Sequence, residues 1–382
     1  MTRLLTGLLL AAALAGTATA AQPDRVLAVE WQAGGGKLRW VSPTTLRPVG
    51  SAVLNVGGAP ANVVAVSPDG AVAAIGGGSR GRLRFVRLPD LRQQGLLWLG
   101  HGAVSEAIWG SPDRLTVLLA GSPPQAIVVD PSARAVLHRR ELPGVALMTV
   151  RAGNRLLTLL APRDRIGPAR LAVIAADGSA QTVAIPGLTA GWGRSATPGG
   201  PSKFASPGLA AQGTHAVVLG PESLVDVDLQ TLATRQQRLD TRTTARTNKF
   251  VEVWGRSAVW LQGGTIAYAG WSSSGKETRV TGVRIVDVAT GATRMLDAKA
   301  SSMQRAGSTL LAHGNGPLRA FQLDGTLRYE LLGGTDTGYV QVAGRYAYVG
   351  SGNSTRFGVV DVQTGRVVGL ARTAKPTTVL SP

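Results

Sequence analysis

The sequence predicts an all-β fold, a single β-propeller, on three observations. One pattern, an apolar strand, a tight turn and a second apolar strand, recurs eight times, beginning at Leu38, Leu83, Ala126, Leu171, Ser223, Val283, Leu318 and Phe357, 35 to 60 residues apart. Its clearest copy is Phe357 to Arg372, FGVVDVQTGRVVGLAR, in which an Asp opens the turn and Thr-Gly closes it. Ahead of the second copy lie two more apolar runs, Ala61 to Val66 and Ala71 to Ile75, joined by Ser67-Pro68-Asp69-Gly70, so one unit holds four strands. All-strand units at this period are blades of a ring rather than coils of a solenoid. Eight hairpins predict eight blades, or seven if one irregular unit is absorbed by a neighbour.

Met1 to Ala20 reads as a signal peptide: a single Arg3, an apolar run from Leu4 to Gly16, and Ala18-Thr19-Ala20 before a new N-terminus at Ala21. The alternative, an uncleaved anchor, has an apolar run short of the ~20 residues a span needs. The expectation is an exported protein, secreted or in the cell envelope, with residues 21–382 forming one propeller. The sequence has no Cys, which excludes a lipoprotein anchor and a disulfide framework. No later segment is apolar for long enough to span a membrane.

Arg25 to Glu30 enters the first hairpin with no strand of its own unit before it, and Thr377 to Leu380 follows the last hairpin with no unit of its own. Pairing these two ends closes the ring and removes an exposed sheet edge. Further blades are expected from Val104, Val145, Ala205, Lys249, Ser301 and Gly338. Two stretches interrupt the rhythm. Thr189 to Pro207, rich in Gly, Pro and Ser, reads as a long loop, and Asp240 to Lys249 as a polar connection. No stretch beyond the signal segment keeps a helical apolar period over three turns.

The turns carry the resemblance to a known group. Ser67-Pro68-Asp69-Gly70 and Ser111-Pro112-Asp113-Arg114 stand where inner strands join, and Asp287 to Gly291 and Asp361 to Gly365 where outer strands join. In these features the chain resembles the β-propeller superfamily that includes the YVTN-repeat and TolB-like families. The resemblance implies the fold and an exported bacterial protein; it implies no activity.

Charge supplies the functional lead. The chain has 40 basic residues against 22 acidic, a formal charge of +18, which points to an anionic partner unless it merely reflects Arg-rich coding composition. In a propeller the turns of the inner and outer strand pairs share one face, while the links between middle strands and between blades share the other. The first face then receives Asp69, Asp113, Asp130, Asp177, Asp287, Asp324 and Asp361. The second receives Arg80, Arg82, Arg163, Arg165, Arg170, Arg194, Lys203, Arg242, Arg246, Lys276, Arg279 and Arg356. The expected site is this basic loop face, and the expected function is that of a noncatalytic binding or scaffold module for an envelope protein or anionic polymer. Nucleic acid is not expected as the physiological partner.

The competing reading is a hydrolase or lyase acting on an acidic polymer at the mouth of the central channel, drawing on Glu277, Asp164 and His101. Catalytic and metal-binding patterns are sparse. The four His, at 101, 138, 215 and 313, stand in different units, with His101 and His313 in links that share a rim. No Cys/His cluster has zinc spacing, no Asp-rich calcium loop occurs, and the Gly runs at 34–36 and 76–78 lack the Lys-Ser/Thr of a phosphate loop. No cofactor is expected. Asp226 and Asp228 fall on one face of a strand that ends in solvent. Of the eight Trp, Trp192 and Trp271 fall in loops and are the two to examine for binding.

Overall fold

The computed structural model describes residues 25–33, 35–57, 62–76, 80–193, 203–240, 253–273, 278–331, 337–350, 355–373, 375 and 377–380. The signal segment lies outside them. Every element among these residues is a strand, and all eight sequence hairpins form.

Unit 1 is β1 (Val26–Gln32), β2 (Gly35–Val41) and β3 (Pro48–Gly57). Unit 2 is β4 (Asn62–Val66), β5 (Val72–Gly76), β6 (Arg82–Arg87) and β7 (Arg92–Trp98); unit 3 is β8 (Ala103–Ser111), β9 (Arg114–Ala120), β10 (Gln125–Asp130) and β11 (Ala135–Glu141). Unit 4 is β12 (Val145–Ala152), β13 (Arg155–Ala161), β14 (Ile166–Ala175) and β15 (Ala180–Gly193), after which β16 (Lys203–Ser206) belongs to no hairpin unit. Unit 5 is β17 (Gly208–Gln212), β18 (His215–Leu219), β19 (Ser223–Asp228) and β20 (Thr234–Arg238). Unit 6 is β21 (Val253–Trp260), β22 (Thr265–Ser273), β24 (Val283–Asp287) and β25 (Thr293–Asp297), with the short β23 (Thr278–Val280) beside β22. Unit 7 is β26 (Ala300–Ala306), β27 (Thr309–Gly314), β28 (Gly316–Gln322) and β29 (Leu327–Leu331). Unit 8 is β30 (Tyr339–Ala343), β31 (Tyr346–Gly350), β32 (Arg356–Asp361) and β33 (Val367–Arg372), and β34 (Thr377–Leu380) ends the chain.

Neither eight nor seven separate blades form among the described residues. Six four-stranded sheets stand alone, and units 4 and 6 are merged into one ten-stranded sheet. The cause lies in the stretch expected to be a loop. β15 continues through Gly193, β16 pairs with its end in antiparallel register, and β16 pairs in parallel with the start of β21. The described ends of that stretch, 191–193 and 203–206, pair their backbone in a ladder across unit 5 instead of leaving it to water, while residues 194–202 lie outside the described residues.

The ends pair as the sequence predicts: β34 lies against β1, with Ala28 opposite Val379 and Glu30 opposite Thr377. Side chains lock the seam. Trp31 Nε1 donates to Thr378 Oγ1 at 2.9 Å, and the Val379 N–H donates to Gln341 Oε1 at 2.9 Å. Buried Tyr348 donates its hydroxyl to the Pro43 carbonyl at 2.8 Å, tying unit 8 to unit 1.

The apolar core is a relay of clusters between neighbours. Leu27 and Trp40 pack with Ile75 and Val86, Phe85 with Val117, Leu118 with Leu160, and Leu171 with Val218. The relay continues from Val217 through Tyr268 to Phe321, from Leu311 to Val349, and from Tyr348 back to Val26. The middle strands of a unit therefore have two buried faces, which is why apolar runs such as those of β9 and β13 are nearly continuous, whereas outer strands such as β7 and β11 stay largely exposed.

The Asp turns form for the reason their residues suggest. Asp130 Oδ1 accepts from the backbone N–H of Ser132 and Ala133, Asp228 from Gln230 and Thr231, and Asp361 from Gln363 and Thr364. The backbone N–H of Thr290 holds the Asp287 carboxyl below its usual range in the same way. The fifth residue of each such turn adopts a left-handed φ, Gly291 at 73°, Gly365 at 70°, Arg134 at 54° and Leu232 at 60°, and so do Leu46 at 54° and Leu91 at 55° in the corresponding turns opened by Ser42 and Arg87. Leu46 and Leu91 are buried there, so packing offsets the strain, whereas Arg134 is exposed. Arg134→Gly should therefore raise stability by about 1 kcal/mol, while Leu91→Gly should lower it by roughly 2 kcal/mol or more because a packed side chain is lost. Thermal melts of the two variants check the opposite signs.

Candidate functional site

Strand alternation sorts the loops into two faces. The Asp-bearing turns meet on one of them, where Ser67, Asp69, Pro112, Pro131 and Arg134 from units 2 and 3 line a single cleft. Ser67 Oγ donates to Asp69 and Ser111 Oγ to Asp113, and these bonds hold both carboxyls below their usual range.

On the other face, a basic cluster belongs to unit 4. Arg163 and Arg165 stand in the β13–β14 link and Arg170 follows in β14; all three are exposed or half-buried and line one cavity of about 410 Å³ with Pro143 and Gly144 of the preceding link. Asp164, between the first two, is exposed with φ at 58° and is not part of that lining. The Gly144 backbone makes the floor: with φ at 88°, a Cβ on it would stand 2.1 Å from the Ala161 carbonyl oxygen.

The remaining expected residues are more scattered. Arg80 forms a bridge with Gly102, Arg82 opens β6, and both are exposed. Arg279 lies in β23, Arg356 opens β32, and Lys203 opens β16, each exposed. Arg194, Arg242, Arg246 and Lys276 lie outside the described residues.

Beside the unit 4 cluster is a feature that the sequence hides. In the cross-unit sheet Trp192 opposes Phe204, and Phe204 opposes Val253, whose neighbour Gly255 opposes Trp271. The rings meet in a row, Trp192 edge-on to Phe204 at 5.2 Å and Phe204 stacked on Trp271 at 6.5 Å. Gly255 makes room for it, since a Cβ there would stand 3.1 Å from the Trp271 indole nitrogen. Trp192 is 55% exposed. Both Trp thus sit at strand ends rather than in loops.

Of the residues considered for a channel-mouth enzyme site, His101 and Asp164 stand in links of different units. His101 lies exposed in the β7–β8 link, edge-on to Trp98 at 6.0 Å, and Glu277 lies outside the described residues. His313 is not in a link: it is buried in β27, with Nδ1 3.2 Å from the Thr337 carbonyl oxygen and its basicity lowered by burial. His138 is exposed in β11, and His215 Nδ1 stands 3.1 Å from Asp226 Oδ1. Among the described residues no group of three or more His, Cys, Asp or Glu is placed to hold a metal ion, and no helix is long and apolar enough to cross a membrane. The channel wall is stitched by Arg151 of β12, which donates to Glu106 at 2.7 Å and to the Val64 and Ala107 carbonyls at 2.7 and 2.8 Å, spanning units 2, 3 and 4.

Ring, seam and sheet order define the chain as a β-propeller, and solved structures agree. It is similar to the dihydro-heme d1 dehydrogenase NirN in complex with DHE (TM-score 0.60, 10% identity, covering 92% of this chain and 74% of that one). It is similar also to apo AztD from Citrobacter koseri (TM-score 0.55, 15% identity, 93% and 97% covered) and to the computationally designed Ika8 protein (TM-score 0.54, 12% identity, 86% and 91%). At such identities the likeness shows the fold alone. No family model matches the chain, and no curated protein matches its sequence.

Proposed function

We propose that the chain is an exported, noncatalytic binding module that engages an acidic polymer or an acidic protein of the cell envelope through its loop face. The observation that carries this reading is the gathering of Arg163, Arg165 and Arg170 around one open cavity. Three guanidinium groups on one rim sum to a field that attracts polyanions, and each contact releases a counterion from the polymer. The row of Trp192, Phe204 and Trp271 beside it adds a rigid apolar strip, which suits a ring or acyl surface between charges.

The test compares two triple variants with equal charge change. One carries Arg163→Glu, Arg165→Glu and Arg170→Glu; the other carries Arg47→Glu, Arg92→Glu and Arg366→Glu, three exposed residues beside turns of the opposite face. Retention on immobilised heparin or polygalacturonate, read as log affinity against log salt, should become shallower by roughly two to three for the first variant and remain nearly unchanged for the second. Equal losses would mean that only net charge matters. Absence of retention by the unaltered protein at physiological salt would overturn the polyanion reading.

A further inference from the structure

The ten-stranded sheet does more than bridge two units: its inner side roofs a second cavity of about 690 Å³ over the rim of unit 5. Residues alternate across β21, so Trp254 and Arg256 share the face opposite Gly255, the side of the aromatic row. Trp254, Arg256 and Ser272 line the cavity with Glu222, Gln236 and Arg238 of unit 5. These dimensions suit a small organic molecule.

Arg256 is the anomaly. Its side chain is 7% exposed, and its guanidinium Nη1 donates to the Gly255 and Trp271 carbonyls at 3.0 and 2.9 Å. Among the described residues no carboxylate pairs with it, and burial pulls its basicity down to about 10. The Trp254 ring lies 5.8 Å from the guanidinium carbon. A glycine is kept opposite to admit this side chain, because a Cβ on Gly270 would stand 2.8 Å from Arg256 Cδ and 2.3 Å from the Gly255 carbonyl oxygen. Two carbonyl bonds replace part of the lost hydration of a buried cation, but they do not neutralise its charge.

We propose that this cavity binds a small organic carboxylate, whose anionic end pairs with Arg256 and whose apolar body lies against Trp254 and Leu188. A single guanidinium edge matches a planar carboxylate through two parallel N–H···O bonds. A single guanidinium beside apolar lining suits a monoanion with an apolar body better than a dianion such as phosphate. The cavity shares no lining residue with the Arg163 cluster, so polymer retention and carboxylate binding succeed or fail separately.

Benzoate, its neutral counterpart benzamide, and inorganic phosphate are the probes, titrated into the full chain by calorimetry and by tryptophan fluorescence. Benzoate should bind at one saturable site, at least tenfold tighter than either benzamide or phosphate. Arg256→Met should weaken benzoate at least tenfold and leave the ligand-free melting temperature equal or higher, since a buried charge is replaced by an apolar side chain of similar length. If that variant does not fold, Ser272→Trp, which fills the cavity and leaves the charge in place, should abolish benzoate binding instead. The proposal is overturned by absence of saturable benzoate binding, by unchanged binding in the foldable variant, or by phosphate binding as tightly as benzoate.

Discussion

Deleting residues 376–382 should lower the thermal unfolding midpoint by on the order of 10 °C. The deletion removes β34, and with it the buried side chains of Val379 and Leu380, 2% and 5% exposed. Two such side chains contribute roughly 3 to 6 kcal/mol, an upper figure because the unfolded chain already hides part of its apolar surface. Loss of β34 also exposes the edge of β1, strips Trp31 Nε1 of its partner and leaves Gln341 Oε1 with the Tyr339 hydroxyl alone. Those groups lie in the seam that joins the last unit to the first, so the damage is to ring closure and the unfolding transition should also broaden. Differential scanning calorimetry of the truncated chain reads both effects; an unchanged midpoint would mean that the seam is held by units 8 and 1 without it.

The sequence exposes whatever repeats locally. Each hairpin announces itself by a run such as VRIVD or FGVVD followed by a turn whose Asp, Thr and Gly have fixed jobs, and both ends of the chain show strands lacking a unit. The cross-unit sheet is hidden because its partners are distant in sequence and its strands lack an apolar alternation: Gly191-Trp192-Gly193 and Lys203-Phe204-Ala205-Ser206 read as loop chemistry. Only the register Trp192 to Phe204 shows that three aromatic rings share a face. Arg163, Arg165 and Arg170 are legible as a group because one short link carries them. Arg256 is not, since in VWGRSAVW a charged residue has the look of a solvent-facing position. It lies instead against Gly270 and Trp271 of β22, on a cavity lined by β15 and the rim of unit 5, a non-local arrangement that no window of sequence reports.

The merged sheet also gives the loop face its asymmetry. In a ring of equivalent blades every link face would offer the same shallow surface. Here β15, β16 and β21 run across unit 5, placing aromatic rings on the outside and a cavity beneath, next to the basic link of unit 4. The basic cavity, the aromatic row and the larger cavity therefore concentrate over units 4 to 6. Such departures from regular repetition are where local and global preferences part, and they are the places to look for function.

Gly144→Ala should cost roughly 3 kcal/mol or more and should weaken polyanion retention together with stability. Gly144 sits in the link before β12 with φ at 88°, a conformation costly for any residue with a Cβ. The added methyl would also meet the Ala161 carbonyl oxygen at 2.1 Å, a backbone atom that cannot turn aside. Relief requires the β13–β14 link to move, and that link carries Arg163 and Arg165 on the lining they share with Arg170. A glycine with space around it provides the control: Gly153, with φ at 57°, has no atom within 4 Å of the place an added methyl would take, so Gly153→Ala should cost only the backbone strain, about 1 kcal/mol. Melting temperatures and salt-dependent heparin retention of the two variants should therefore separate, with Gly144→Ala losing both and Gly153→Ala losing a little stability alone. Normal retention by a destabilised Gly144→Ala protein would show that the Arg cluster does not depend on the close approach of the two links.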